Sequence, residues 1–168
     1  EVDVALASDV ESLMESTEGN FGRIDVVFNN AGLMHGADDD AINTEEEIWD
    51  LTMDVNVKGV WFGCKYGIPA LRRAGGGSII NVTSIGAMFG FPDNPAYISS
   101  KTGLSGLTRS LAYDYADLGI RVNNLVPGYF KTDMTKKSFD DPSKRKDRET
   151  STLLNRWGNP KELIGPAI

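Results

Sequence analysis

The chain has 168 residues, of which 40% are hydrophobic and 24% are charged, a composition typical of a soluble globular domain with a sizeable core. Its net charge of −7 argues against nucleic acid and anionic membranes as partners, because both are also negatively charged. No apolar run approaches the ~20 residues that span a bilayer, and no basic leader segment opens the chain.

The single cysteine, Cys64, excludes an internal disulfide and fits a reducing compartment, so we expect a cytoplasmic protein. The single histidine, His35, excludes a His-rich metal site, and we place it in a loop that could lie near a substrate. Two acidic runs, 38–40 and 45–47, do not change this view. We expect the first run to be a hydrated loop and the second to complement the dipole of a helix N-terminus, with no metal at either.

Segments with strand character alternate with segments of helical length. In chain order, the sequence predicts a helix over 9–20, a strand over 24–28, a helix from about 44, a helix over 55–73, a strand over 78–82, a helix over 95–118 and a strand over 120–126. The second helix has Ile48, Leu51 and Val55 as its apolar stripe. The fourth has Leu104, Leu107 and Leu111 facing the core. Thr44 and Glu47 match a capping box at the start of the second helix.

This alternation predicts parallel β-α-β units. The strands are apolar on both faces, as expected where helices cover both sides of a sheet. The fold class is therefore α/β, a Rossmann-like, doubly wound parallel sheet in three α/β/α layers, and we expect residues 1–168 to form a single, partial domain. Lys136–Thr150 is rich in charged residues and is predicted to be a solvated loop or a lid helix.

Polar residues, glycine or proline follow each predicted strand. Asn30, Ser84 and Gly128 stand at these ends. Ligands of open α/β sheets bind at the carboxyl ends of the strands, so we expect the functional site there.

Tyr97 and Lys101 are four residues apart on the predicted fourth helix, with Ser84 thirteen residues before the tyrosine. Residues i and i+4 share a helix face, so the lysine ammonium can approach the phenol. A nearby positive charge is expected to lower the pKa of Tyr97 from its ordinary value of roughly 10. Such a tyrosine can act as general acid or base, while the serine holds a substrate oxygen. Taken alone, this spacing also fits a half-buried aromatic residue beside a solvated lysine.

The order of these motifs resembles that of the short-chain dehydrogenases/reductases. The residues that carry the resemblance are Asp3-Val4, Asn29-Asn30-Ala31-Gly32, Asn56, Ser84, Tyr97-x-x-x-Lys101, Pro127-Gly128-x-x-x-Thr132 and Arg156-Trp157-Gly158-x-Pro160. The likeness extends over nearly the whole chain.

The resemblance implies a role for each matching residue. Tyr97 would be the acid/base, Lys101 would lower the pKa of Tyr97 and bind the nicotinamide ribose, Ser84 would bind the substrate oxygen, and Asn56 would hold a water in a proton relay. The residues implied to contact NAD or NADP are Asp3, Val4, Asn30, Ala31, Gly32, Tyr97, Lys101, Pro127, Gly128 and Thr132.

The resemblance also implies segments that lie outside this sequence. Family members begin with a strand, a Gly-rich turn and a helix that bind the pyrophosphate, and we expect the chain to be part of such a domain, shortened at both ends. The 24–28 strand would then have an unpaired, aggregation-prone edge. The choice between NAD and NADP stays open, because the residue that selects it follows the second strand of the family.

The implied activity is the NAD(P)-dependent interconversion of a secondary alcohol and a ketone. Residues Met34-His35 and Met134–Lys137 favour a sugar, polyol or sugar-acid substrate by general likeness. Two alternatives remain, a 3-oxoacyl-thioester reductase and a non-catalytic dehydrogenase-like binding protein. The resemblance further implies a homodimer or homotetramer that pairs through helices 57–73 and 95–118, where Gly103 and Gly106 would permit close approach of helices or pack against the chain's own sheet.

Overall fold

The computed structural model describes all residues from Glu1 to Ile168. They form two compact units, Glu1–Leu125 and Val126–Ile168. The prediction of a single domain over residues 1–168 stays a prediction, and each unit is described by itself.

The first unit is an alternation of helices and strands, as the sequence predicts. Its elements are α1 (Ala7–Phe21), β1 (Val26–Asn29), α2 (Glu46–Met53), a π-helical turn (Asp54–Lys58), α3 (Gly59–Arg73), β2 (Gly77–Val82), a short 3-10 helix (Ile85–Ala87), α4 (Pro95–Tyr115), a second 3-10 helix (Ala116–Leu118) and β3 (Ile120–Leu125).

The three strands form one parallel sheet in the order β1-β2-β3. Val27 of β1 lies opposite Ile79 of β2, which in turn lies opposite Val122 of β3. This row is buried, and α3 packs on β1 and β2 while α4 packs on β3. The parallel α/β class of the prediction is confirmed.

The strands alternate between buried and accessible residues, which differs from the predicted burial of both faces. Val26 and Phe28 on β1 are 54% and 45% exposed, and every second residue of β3 from Arg121 onward is accessible or half-buried. The helices of this unit cover one face of the sheet, so one of the two predicted helical layers is present in it. As expected, β1 is an edge strand, and a cavity of about 240 Å³ lies beside it, between α1 and α3.

Two predictions about the second helix are wrong. Thr44 does not cap the helix through its side chain, because its hydroxyl instead bonds to the backbone of Asp39 and Asp40, and α2 begins at Glu46. No break separates the two helices predicted to meet at Val55, since the π-helical turn joins α2 to α3 without interruption. Of the predicted apolar stripe, Leu51 is 42% exposed, and Thr52 is the residue that this helix buries.

The second unit consists of short helices around one aromatic cluster. Its helices are α5 (Lys136–Asp140), α6 (Pro142–Thr150), a 3-10 helix (Pro160–Leu163) and α7 (Ile164–Ala167). Trp157 is buried against Phe139 and Tyr129, with ring centroids 5.3 and 5.7 Å away, and its indole N–H donates to the carbonyl of Arg145. The charged 136–150 segment is thus mostly helical, and α5 and α6 contain no buried residue.

No helix in the structure combines the length and the apolar character that crossing a membrane requires.

Candidate active site

The predicted site lies where β1 and β2 end side by side. Asn29 and Asn81 are register partners near the ends of these strands, so the segments that follow them emerge together. Residues 30–33 continue from β1, and Thr83 and Ser84 continue from β2. The amino-terminal half of α4 lies against these segments, since Lys101 reaches the end of β2.

Ser84 and Tyr97 form the polar centre of the site. Ser84 is buried and Tyr97 is half-buried, and the Ser84 hydroxyl lies close enough to the phenol to lower the pKa of Tyr97. The Ser84 hydroxyl also accepts a hydrogen bond of 3.0 Å from the amide of Gly86, which fixes the serine at the start of the first 3-10 helix. A substrate oxygen held by this serine would therefore lie within reach of the phenol.

The expected fall in the pKa of Tyr97 is not found. Burial raises the pKa of the Tyr97 phenol, and the nearby Ser84 hydroxyl opposes this only in part. The Lys101 ammonium lies 5.8 Å from the centre of the tyrosine ring, and desolvation of the phenolate is the largest cause of the shift in the pKa of Tyr97.

Lys101 is 4% exposed, and burial lowers its pKa to about 8. Its ammonium donates one hydrogen bond of 3.0 Å, to the carbonyl of Val82. An ammonium has three donors, so two remain for a ligand. A Cβ atom at Gly32 would lie only 3.2 Å from this nitrogen, which places Gly32 beside the lysine.

Asn56 is fully buried within the π-helical turn. Its side-chain oxygen accepts from the amide of Leu33, and its nitrogen donates to the Leu33 carbonyl, each over 2.8 Å. The same nitrogen donates to the hydroxyl of Ser100 over 3.0 Å. The amide of Asn56 thus holds the backbone that follows Gly32. A π-turn inside a helix often marks a functional site, and the predicted role of Asn56 in a proton relay stays a prediction.

Asp38 contradicts the expectation that the first acidic run is a hydrated loop. Its carboxylate is 6% exposed and accepts hydrogen bonds from the backbone amides of Ala96 and Tyr97, over 3.2 and 2.9 Å. The neighbours Asp39 and Asp40 are exposed. Spacing in the sequence does not distinguish the three aspartates, because Asp38 and Tyr97 are 59 residues apart.

A row of hydrogen-bonded side chains beneath the site was also not predicted from the sequence. This row, the asparagine row, is formed by Asn29, Asn81, Thr108 and Asn124. Asn29 donates to Asn81 over 2.9 Å, Asn81 donates to Thr108 over 2.9 Å, and Thr108 donates to Asn124 over 2.6 Å. The three asparagines occupy paired positions on the three strands. The sequence does show an asparagine near the end of each apolar run. Only the register of the strands shows that these three asparagines lie side by side.

Four of the residues implied to contact NAD or NADP, Asp3, Val4, Asn30 and Ala31, fall into one region. Asp3, Val4 and Ala31 line an open groove of about 500 Å³, and Val4 and Asn30 also line the cavity beside β1. Val4 lies against α3 at Gly59, where a Cβ atom would approach the valine to 2.9 Å. The structure thus brings Asp3 and Val4 close to the segment that follows β1.

The remaining predicted contacts, Pro127, Gly128 and Thr132, belong to the second unit. There the backbone amide of Thr132 donates to the hydroxyl of Thr135 over 3.0 Å. Their role at a coenzyme stays a prediction.

Neither His35 nor Cys64 has surroundings that indicate chemistry. The ring of His35 accepts from the amide of Ala37 over 3.1 Å. Burial raises the pKa of the Cys64 thiol to about 12, so the thiol is unreactive at neutral pH. No group of three or more His, Cys, Asp or Glu side chains is arranged to hold a metal ion.

A protein-family model of the short-chain dehydrogenases/reductases, described as Enoyl-(Acyl carrier protein) reductase, matches residues 1–168. The chain belongs to the short-chain dehydrogenase/reductase family. The resemblance stated from the motifs is confirmed.

Individual members of the family match almost all of the chain. The 2-dehydro-3-deoxy-D-gluconate 5-dehydrogenase of Dickeya dadantii is 34% identical, over 99% of this chain and 65% of its own length. The 3-oxoacyl-(acyl-carrier-protein) reductase of Thermotoga maritima is 36% identical, over 92% of this chain and 61% of its own length.

A crystal structure of a gluconate 5-dehydrogenase from Burkholderia cenocepacia, in complex with NADP and tartrate, superposes with a TM-score of 0.94 at 31% identity, covering 98% of this chain and 64% of that one. The chain spans 58–65% of the length of the curated relatives that it matches.

Proposed function

We propose that the full-length protein carrying this chain is an NAD(P)-dependent oxidoreductase that interconverts a secondary alcohol and a ketone. The observation that carries the proposal is the grouping of Ser84, Tyr97 and Lys101 at the ends of β1 and β2. The Lys101 ammonium lies 5.8 Å from the centre of the Tyr97 ring and donates to the carbonyl of Val82, and Ser84 lowers the pKa of Tyr97.

The residues around Gly32 fit a bound nicotinamide coenzyme. The missing side chain of Gly32 leaves space between Asn56 and Lys101, each 3.2 Å from the position of a Cβ atom. The two unused donors of the Lys101 ammonium suit the hydroxyl groups of a ribose. When bound, the coenzyme supplies or accepts the hydride.

The chain's own side chains supply position and a proton. Ser84 holds the substrate oxygen, and the Tyr97 phenol gives its proton to that oxygen when a ketone is reduced or takes it when an alcohol is oxidised. A tyrosine phenol is protonated at neutral pH, and burial raises the pKa of Tyr97 further, so the phenol can give a proton in reduction. Oxidation requires stabilisation of the phenolate, and a fully charged Lys101 close to the ring would provide it.

A sugar, polyol or sugar acid is the substrate class that we favour. The support is the similarity to the Dickeya dehydrogenase and to the Burkholderia enzyme described in the preceding section. A 3-oxoacyl thioester is the second candidate, supported by 36% identity to the Thermotoga reductase. A purely non-catalytic role is disfavoured, because such a role does not require Asn56, Ser84, Tyr97 and Lys101 together.

The experiment compares both substrate classes in the full-length protein. Gluconate and related sugar acids are offered with NAD or NADP, and acetoacetyl thioesters with the reduced coenzymes, while the absorbance of the reduced nicotinamide is followed. Tyr97→Phe should reduce turnover by a factor of 100 or more, within the ~10²–10⁴ typical of acid/base groups, with an unchanged circular dichroism spectrum. Wild-type turnover in this variant would refute the proposed function.

We also propose that the full-length protein is a homodimer or homotetramer that pairs through α3 and α4. A Cβ atom at Gly103 or Gly106 would meet nothing within 4 Å, so these glycines do not pack against the chain's own sheet, and Tyr113 on the same helix is 90% exposed. Gly103→Arg should then lower the mass measured by light scattering, whereas Gly19→Arg on α1 should leave it unchanged. An unaltered mass in both variants contradicts this interface.

A further inference from the structure

The amino terminus of α4 is capped by a residue from a distant loop. The first helical residue, Pro95, has no N–H, and the amide of Ile98 donates to the carbonyl of Asn94. The remaining free amides of the first turn, those of Ala96 and Tyr97, both donate to the carboxylate of Asp38.

The residue at the usual capping position does not compete with Asp38. Asn94 makes no capping hydrogen bond to the helix, and its side-chain nitrogen donates to the carbonyl of Pro92 instead. A carboxylate is the favoured acceptor here, because the amides and the dipole of a helix N-terminus attract negative charge. Asp38 therefore satisfies both amides alone.

The other side of the Tyr97 residue is held as well. Its carbonyl accepts from the hydroxyl of Ser100 over 2.7 Å, and Ser100 accepts from Asn56. Asn56 in turn holds both backbone groups of Leu33, five residues before Asp38. These bonds close a ring that runs from the Leu33–Asp38 loop through Asp38, Tyr97, Ser100 and Asn56 back to the loop.

We propose that Asp38 is a positioning residue for the acid/base Tyr97, which it fixes through the backbone at the start of α4. The proposal rests on the proposed function, since it assumes that Tyr97 transfers the proton. Asp38 holds the amide of Tyr97 while Ser100 holds its carbonyl, so the phenol keeps one position relative to Ser84 and Lys101. Without the carboxylate, the first turn of α4 loses the acceptor for two amides and frays.

The test measures kcat, coenzyme affinity and amide exchange in the full-length protein. Asp38→Ala removes the acceptor, Asp38→Asn keeps an acceptor oxygen without the charge, and Asp39→Ala is the matched control on an exposed neighbour. The value of kcat is expressed per coenzyme-binding site, so that any unfolded fraction does not contribute. Hydrogen exchange of the Ala96 and Tyr97 amides reports the first turn of α4 directly.

Asp38→Ala should lower kcat by about tenfold to a hundredfold, as expected when an acid/base group is displaced by about an ångström. Its dissociation constant for the coenzyme should change by less than about threefold, and the two amides should exchange faster. Asp39→Ala should stay within about threefold of wild type in kcat. Asp38→Asn should also lower kcat, because the two amides bond to separate oxygens of Asp38 and an asparagine has only one acceptor oxygen. If Asp38→Ala binds no coenzyme, Asp38→Ser replaces it under the same criteria, since a serine hydroxyl is too short to reach both amides.

Two results would overturn the positioning role: a wild-type kcat in Asp38→Ala, or an equal loss in Asp39→Ala. Failure of the proposed function is distinguishable from these. Wild-type turnover in Tyr97→Phe would refute the function, whereas a large loss in Tyr97→Phe with none in Asp38→Ala would refute the role of Asp38 alone.

Discussion

The ammonium of Lys101 donates to the backbone carbonyl of Val82 over 3.0 Å, inside a region where the lysine is 4% exposed. This bond ties α4 to the last residue of β2. It also places a cation in surroundings that desolvate it without a carboxylate partner, and burial accordingly lowers the pKa of Lys101 to about 8.

The depressed pKa of Lys101 predicts a rise in stability with pH. Between pH 8 and the unfolded value of about 10.4, the unfolded chain binds the proton that the folded chain has lost, so the free energy of unfolding increases as the pH rises through this window. From pH 7.5 to 9.5 the gain is about 2 kcal/mol for this shift. Urea unfolding at several pH values measures it.

Lys101→Met should lack this contribution to the free energy of unfolding, while Lys65→Met, at an exposed lysine, should retain it. The raised pKa values of the Cys64 thiol and the Tyr97 phenol act in the opposite direction at alkaline pH, so the contribution of Lys101 is the difference between the pH profiles of wild type and Lys101→Met. An identical pH dependence in wild type and Lys101→Met would contradict the assignment.

The asparagine row predicts a large loss of stability from one amide. Asn81 is fully buried and bonds to Asn29 on one side and Thr108 on the other. Asn81→Ala removes the acceptor for Asn29 and the donor to Thr108, and we expect it to cost about 1–3 kcal/mol. Asn123→Ala, on the accessible side of β3, should cost less than about 0.5 kcal/mol. Equal unfolding free energies for the two variants, measured in urea, would show that the row does not stabilise the sheet.

The sequence predicts the parts of this structure that depend on local pattern. The apolar runs locate the three strands within two residues, and the strand ends indicate the positions of Asn30 and Ser84. The predicted capping box failed because the Thr44 hydroxyl found partners in the preceding loop. A capping motif in the sequence does not show whether its side chain will hydrogen-bond to loop backbone instead of to the helix.

The features that were missed depend on contacts between distant segments. Asp38 differs from Asp39 only in that a helix 57 residues away has two free amides facing it. The direction of the Tyr97 pKa shift depends on how strongly the fold desolvates the phenol. The four-residue spacing between Tyr97 and Lys101 does not predict this desolvation. The π-helical turn around Asn56 is set by the fit of α2 and α3 to the segment after β1.

Gly63 is predicted to be required for the packing of α3 on β1. A Cβ atom there would lie 2.1 Å from the side-chain oxygen of Asn29, whose own hydrogen bonds hold it in the asparagine row. Gly63→Ala should therefore destabilise the protein by about 1–3 kcal/mol or more. Gly19→Ala on α1, where a Cβ atom meets nothing, should instead stabilise it by about 0.5–1 kcal/mol. Thermal unfolding of both variants checks the opposite signs, and two stabilised proteins would contradict the close approach at Gly63.

Gly32 is predicted to matter for coenzyme binding rather than for folding. An alanine side chain at this position would lie 3.2 Å from both the Asn56 oxygen and the Lys101 nitrogen, which forces one of them away and fills the space assigned to the ribose. Gly32→Ala in the full-length protein should weaken coenzyme binding by about tenfold or more, equivalent to at least about 1.4 kcal/mol. Gly36→Ala, in the same loop but with no atom within 4 Å of the added carbon, should bind like wild type. Fluorescence titration with the reduced coenzymes measures both, and wild-type affinity in Gly32→Ala would show that the coenzyme does not pass this glycine.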